Sequence, residues 1–319
     1  MILLPQLLAC TAVSAFIVRE GNFFSDSKTG GTVTFKGVVY SPGGPPTLSS
    51  PHDPLANSDA CKRDVQTLQF LGINLIRVDY FDPYLDHAVC MNLLKEAGIQ
   101  VLVDISPMVK SPTKSKSALY TKSYLKYMFE SIEELAQYSN VMGVLAESRD
   151  LIDSLDASTI KALIRDLKHY IFQNIKQKIL VGFSASIMQP NSLDLIRYFE
   201  CGEDFDTVDF VILQNDRECV DQDTYKARFD DLRKPLSGFT VPIMLGNIGC
   251  DSFVPQTFID LAVGCNTKEP FFAGAIAFQY SREINGRGLV DIDHETSDVT
   301  LHKDFYNLLQ RFQQFSLPK

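Results

Sequence analysis

Along the chain, short apolar runs alternate with stretches in which apolar residues recur every third or fourth position. Four to eight apolar residues bounded by turn formers read as a buried strand, and the longer period reads as an amphipathic helix. Strands are expected on this pattern at 32–40, 74–80, 100–106, 141–147, 178–184, 209–214, 242–245 and 274–280. Helices are expected at 57–72, 85–97, 119–137, 157–176, 192–199, 224–233, 255–263 and within 301–315. In 157–176, for example, Ile160, Leu163, Ile164, Leu167 and Ile171 share one face. In 57–72, Asp59 is a candidate cap and Gly72 a stop.

Eight strands alternating with helices imply a parallel sheet with right-handed crossovers. Eight such units in about 280 residues fit a single-domain α/β fold, the (β/α)8 TIM barrel. A doubly wound open sheet is the other candidate, but no strand is followed by G-x-G-x-x-G or G-x-x-x-x-G-K-[ST]. In a barrel, chemistry sits where strands end and their loops begin. The stretch Val241 to Asp251, VPIMLGNIGCD, offers Asn247 at such a point, an amide that cannot ionise.

The formal net charge is −9, which argues against nucleic acid or an anionic membrane surface as partner. Residues 1–15, MILLPQLLACTAVSA, are apolar and end in small residues, as a secretory signal peptide does. The expected division is a signal peptide at 1–15 and one barrel at 16–319. No later run approaches the ~20 apolar residues of a membrane helix. The last residues show no apolar tail of a GPI signal. With Cys10 in the leader, Cys61, Cys90, Cys201, Cys219, Cys250 and Cys265 remain, an even number suited to disulfides in an oxidising compartment. No C-x-x-C pair occurs, and His52, His87, His169, His294 and His302 are scattered, so neither a metal site nor a cofactor is expected.

Several colinear stretches resemble the fungal β-1,3-glucanosyltransferases of glycoside hydrolase family 72. They include Asp53-Pro54-Leu55-Ala56-Asn57, Leu85-Asp86-His87 with Cys90-Met91, Ile76-Arg77-Val78, Tyr198-Phe199-Glu200-Cys201-Gly202, and Val241-Pro242 with Gly249-Cys250. The resemblance covers about residues 18–295 and only the family's catalytic barrel. It implies a barrel that cleaves and re-forms β-1,3-glucan with two carboxyl groups, an acid/base after strand four and a nucleophile on strand seven. The family's A-G-N-E run falls on Ala146-Glu147-Ser148-Arg149, which puts Arg149 where the acid/base stands. Its E-Y-G-C-N run falls on Asn247-Ile248-Gly249-Cys250-Asp251, which puts Asn247 where the nucleophile stands. Arginine cannot trade the proton of a leaving oxygen, and asparagine cannot form a glycosyl ester.

The family's aromatic platform after strand six is replaced by 210–220, and the chain has no Trp. By resemblance, substrate contacts fall on Tyr40, Arg77, Asp79, Gln214, Asp216 and Tyr280, and disulfides on Cys61–Cys90 and Cys219–Cys250. The resemblance gives Cys201 no partner, and Cys201 and Cys265 either pair with each other or stay free thiols. Glu147 reads either as a displaced acid or as an ion-pair partner of Arg149 or Arg77. Arg149 reads as a partner of Asp79 or Asp216, or as an exposed loop residue. Arg77 reads as a pocket residue or as a partner of Asp104. Asp86, His87 and Asp251 read as structural.

Three functions follow. The first is a catalytically degenerate, secreted or cell-wall, monomeric relative of the glucanosyltransferases with weak β-1,3-glucan or wall-component binding. The second is an active transferase or glucanase using relocated carboxylates, Glu147 with Asp79 or Asp209. The third is an interaction module on a reused barrel.

Overall fold

The computed structural model describes residues 16–44, 52–107, 120–146, 157–187, 191–215, 221–249, 255–265, 272–283, 286–293 and 295–315. The chain opens with three short antiparallel strands, β1 (Ile17–Glu20), β2 (Phe23–Asp26) and β3 (Thr32–Val33). Barrel strands and helices then alternate. They are β4 (Phe35–Val39), α1 (Ser58–Leu71), β5 (Leu75–Val78), α2 (Ala88–Glu96), β6 (Gln100–Asp104), α3 (Lys122–Leu135), β7 (Val141–Leu145) and α4 (Ala157–Asn174). They continue with β8 (Leu180–Ser186), α5 (Ser192–Glu200), β9 (Phe210–Gln214), α6 (Gln222–Leu236), β10 (Ile243–Ile248), α7 (Ile259–Cys265) and β11 (Gly274–Ala277). A hairpin, β12 (Val290–Ile292) with β13 (Val299–Leu301), precedes α8 (Lys303–Gln314).

The eight strands β4 to β11 close in chain order into a parallel barrel, β11 pairing with β4. The expected (β/α)8 architecture is the one observed. Strand alternation sends two sets of side chains to two cores. Phe35, Leu75, Leu102, Leu180, Phe210 and Met244 fill the barrel. Val38, Ile76, Val101, Val144, Val211 and Leu245 face the helices, where they meet Leu68, Met91, Ile132 and Leu163. The first hairpin was not read from the sequence. It closes the amino end of the barrel by inserting Phe24 against Phe35 and Phe210, with ring centroids at 5.1 and 6.0 Å.

Local signals explain the boundaries. Asn57, not Asp59, caps α1 by accepting from the Ala60 amide at 3.1 Å, and Gly72 ends it at φ 75. Cys61 on α1 and Cys90 on α2 form the expected disulfide, which joins two neighbouring helices outside the barrel.

Candidate functional site

Among the described residues, several polar side chains gather at or beside the carboxyl ends of the strands. Arg77, the next-to-last residue of β5, is 5% exposed. Its Nε lies 3.0 Å from Asp79 Oδ1, in the geometry of an ion pair and not of an aligned hydrogen bond. The neighbouring β6 ends in Asp104, 1% exposed, which accepts the Ser106 amide at 3.0 Å. Burial pushes the Asp104 carboxyl up to about 7; Arg77 opposes the rise and Asp79 adds to it. Arg77 thus pairs with Asp79 while also acting electrostatically on Asp104.

Across the barrel, Ser184, Gln214 and Asn247 form a string of neutral groups. Gln214 Nε2 donates to Ser184 Oγ at 2.6 Å, and Asn247 Nδ2 donates to Gln214 Oε1 at 3.3 Å. All three are buried. Asn247 reaches this string through a bulge. Leu245 pairs with Ala275 and Ile248 with Ala277, so Gly246 and Asn247 together oppose one residue, Ile276. The extra residue leaves both Leu245 and Ile248 on the helix side and turns Asn247 toward the barrel axis. Asn247 adopts φ 51 there, a conformation that asparagine tolerates better than most residues. Gly246 has no room for a larger residue, because a Cβ would lie 2.5 Å from Ile212 Cγ2.

Asp260, which was not among the expected site residues, holds the two strand tips together. Its carboxylate on α7 accepts from Asn215 Nδ2 at 3.2 Å and from the Gly249 and Leu261 amides at 2.9 and 3.0 Å. Burial raises its pKa, against the pull of those three donors. Nothing in the apolar periodicity around 259–265 distinguishes this acid from a solvated one.

Other expected site residues lie elsewhere. Tyr40 and Tyr280, 1% and 0% exposed, stand behind the barrel wall instead of at its mouth. Both hydroxyls donate to Asp64 on α1, at 2.9 and 3.0 Å, and Arg63 grips the same carboxylate. Strand alternation is the reason, since Val39 takes the inward position and Tyr40 the outward one. Asp209 lies before β9, at the opposite end of the barrel, where it binds Lys168 and the Val181 amide, both at 2.8 Å. It cannot join Asp79 in a shared site. Cys201 is an exposed free thiol at the end of α5, so the Cys201–Cys265 bridge is not formed. Glu147, Arg149, Asp216, Cys219, Cys250, Asp251 and His294, and the side chain of Cys265, lie outside the described residues. Among the described residues no group of three His, Cys, Asp or Glu is placed to hold a metal ion, and no helix is long and apolar enough to cross a membrane.

A closed parallel barrel with polar side chains collected at its carboxyl end defines a (β/α)8 protein with its site in the mouth. Within that class the chain belongs to the glucanosyltransferase family, glycoside hydrolase family 72, whose pattern matches residues 6–316. It is 34% identical over 319 residues to the 1,3-beta-glucanosyltransferase PGA4 of Candida albicans, which covers 98% of this chain and 70% of that protein. It is also 34% identical over 324 residues to the 1,3-beta-glucanosyltransferase gas4 of Schizosaccharomyces pombe, with the same coverage of 98% and 70%. Among solved structures, Saccharomyces cerevisiae Gas2p in complex with laminaritriose and laminaritetraose superposes with a TM-score of 0.82 and 26% identity. That match covers 96% of this chain and 70% of the other.

Proposed function

We propose that this chain is a secreted, cell-wall member of the family that no longer transfers glucan and keeps a weak β-1,3-glucan contact at the barrel mouth. The observation that carries the reading is Asn247. The tip of the seventh strand bears a buried amide engaged with Gln214, where a retaining mechanism needs an anion able to form a glycosyl ester. The colinear match that puts Asn247 at the nucleophile position puts Arg149 at the acid/base position. With neither carboxylate, no two-carboxylate mechanism is left.

Among the described residues, the acids at the mouth do not supply a substitute. Asp79 and Asp104 belong to neighbouring strands, both beside Arg77, whereas the reaction needs carboxyls on either side of the sugar. Asp209 is at the wrong end of the barrel.

The glucan contact is supported by the relative solved with laminaritriose and laminaritetraose. Here Arg77, Asp79, Gln214 and Asn247 would offer hydrogen bonds to sugar hydroxyls. Most of the family's stacking rings are missing from 210–220, which makes the contact weak, because an aromatic face offers a large apolar surface for the sugar ring to pack on. Secretion rests on residues 1–15 as a signal peptide, and the Cys61–Cys90 disulfide fits an oxidising compartment.

Titration of the purified protein with laminari-oligosaccharides by calorimetry tests this reading. Weak saturable heat is expected, reduced in Arg77→Ala. An absence of saturable binding removes the glucan contact, and steady heat from turnover removes the loss of catalysis.

A further inference from the structure

Two of the motifs that mark the family, 53–57 and 85–91, are not used by the barrel mouth, yet they meet in space. The imidazole of His87 is fully buried at the start of α2, with the Phe81 ring stacked on it at 4.4 Å. Its Nε2 lies 3.0 Å from Asp53 Oδ2, and its Nδ1 lies 3.4 Å from Glu134 Oε1 on α3. Each acid has other donors. Asp53 takes the Leu55 and Asp82 amides at 2.8 and 2.7 Å. Glu134 takes the Tyr138 hydroxyl at 2.9 Å and the Gln137 side-chain amide at 2.6 Å. Such donors favour the ionised acid. An ionised carboxylate can only accept, and a neutral imidazole has a single N–H. A neutral His87 would therefore set a ring lone pair against one carboxylate oxygen, and only the imidazolium satisfies both contacts.

We propose that His87 is a proton-loaded clasp, whose buried imidazolium ties residues 52–57, the loop 79–87 and α3 together and whose deprotonation releases Glu134. The geometry names the contact that yields. Asp53 is fully buried and held at the shorter distance, whereas the Glu134 side chain is 18% exposed and can turn to water. Burial alone would lower the His87 pKa, but the hydrogen bonds and charges of Asp53 and Glu134 outweigh it and the net shift is upward. From its own loop, Asp82 and Asp86 add negative charge nearby, accepting the Tyr84 and Ala88 amides at 3.1 and 2.9 Å. A group that binds its proton more tightly when folded stabilises fully below its unfolded pKa of about 6.5 and loses that contribution as pH rises through the raised value.

The consequence is local. The Cys61–Cys90 disulfide, one turn into α2, holds α1 to α2 whatever the state of the ring. The loop stays tied to α3 through Tyr127, whose hydroxyl donates to Phe81 O at 2.6 Å, and through Tyr84, whose hydroxyl donates to Glu130 at 2.7 Å. Proton loss at His87 thus releases the Glu134 contact alone and leaves the barrel and the loop in place. This inference does not depend on whether the protein transfers glucan.

Ring-nitrogen NMR of the 15N-labelled protein across pH 5 to 9 is the test. The expected result is a His87 ring carrying protons on both nitrogens at pH 7, with a midpoint above that of an ordinary histidine. The Asp82 and Tyr84 amide signals should move with the same midpoint. Glu134→Gln, which alters a partly exposed side chain and keeps the fold, should lower the midpoint by about half a pH unit or more. A single neutral tautomer at pH 7, or a midpoint unmoved in Glu134→Gln, overturns the clasp.

Discussion

Asn247 Nδ2 donates to Gln214 Oε1 at 3.3 Å, which joins the tips of the seventh and sixth barrel strands by an amide-to-amide hydrogen bond. The bulge at Gly246 and Asn247 creates the contact by turning Asn247 inward. Gln214 passes it on to Ser184 at 2.6 Å, so these three side chains form a neutral, mutually bonded string. A carboxylate at 247 would remove the donor that Gln214 Oε1 uses and set a charge against it.

Asn247→Glu should therefore destabilise the fold by about 1–3 kcal/mol, the cost of a buried acceptor left without its donor. On the proposed reading, which aligns Arg149 with the acid/base, it should restore no glucan transfer by itself. Thermal denaturation reads the first effect and oligosaccharide product analysis the second. Transfer by the single variant would mean that another residue supplies the proton.

Asp104 sets a second expectation, in pH. Its folded pKa of about 7 lies above the unfolded value of about 3.9. The folded state therefore holds the proton more tightly, and the stabilisation is full below about pH 3.9 and lost as pH rises through about 7. Asp104→Asn should flatten stability between pH 4 and 7 and raise it at pH 7 relative to the parent. Denaturant unfolding at several pH values measures this, and parallel curves for the two proteins would contradict it.

The correction at Tyr40 and Tyr280 is also measurable. Tyr40→Phe and Tyr280→Phe should leave oligosaccharide binding unchanged and cost roughly 1 kcal/mol of stability each, the net worth of a hydrogen bond. Asp64→Ala should cost more than either, since it strips a common partner from both hydroxyls and from Arg63. A loss of glucan affinity in Tyr40→Phe at unchanged stability would put that ring back in the site.

The barrel was legible because strand and helix periods differ and because eight apolar runs were bounded by turn formers. The position of Asn247 at a strand tip was legible for the same reason. The bulge that aims it was not, since it depends on pairing between β10 and β11 and not on either strand alone. Tyr40 was misplaced because its face follows from a one-residue choice, Val39 in and Tyr40 out, that an almost wholly apolar strand leaves open. The first hairpin was missed because its strands have only four, four and two residues. Asp260 and the Asp53–His87–Glu134 cluster join residues distant in sequence, and no local pattern announces such contacts.

The disulfide gives an expectation for redox. Cys61 and Cys90 are separated by 29 residues, and the crosslink constrains that loop in the unfolded chain. Reduction, or Cys61→Ser with Cys90→Ser, should cost about 2–4 kcal/mol. Because the barrel core is built elsewhere, the far-ultraviolet circular dichroism should be retained at low temperature. An unchanged melting temperature after verified reduction would contradict a stabilising role.

Mass spectrometry of the products formed from laminaripentaose over many hours at high protein concentration decides whether this barrel transfers glucan. The pentaose is expected to remain the only chain length, in the parent protein as in Asn247→Ala. New longer and shorter laminari-oligosaccharides that appear with the parent and vanish with Asn247→Ala would contradict it.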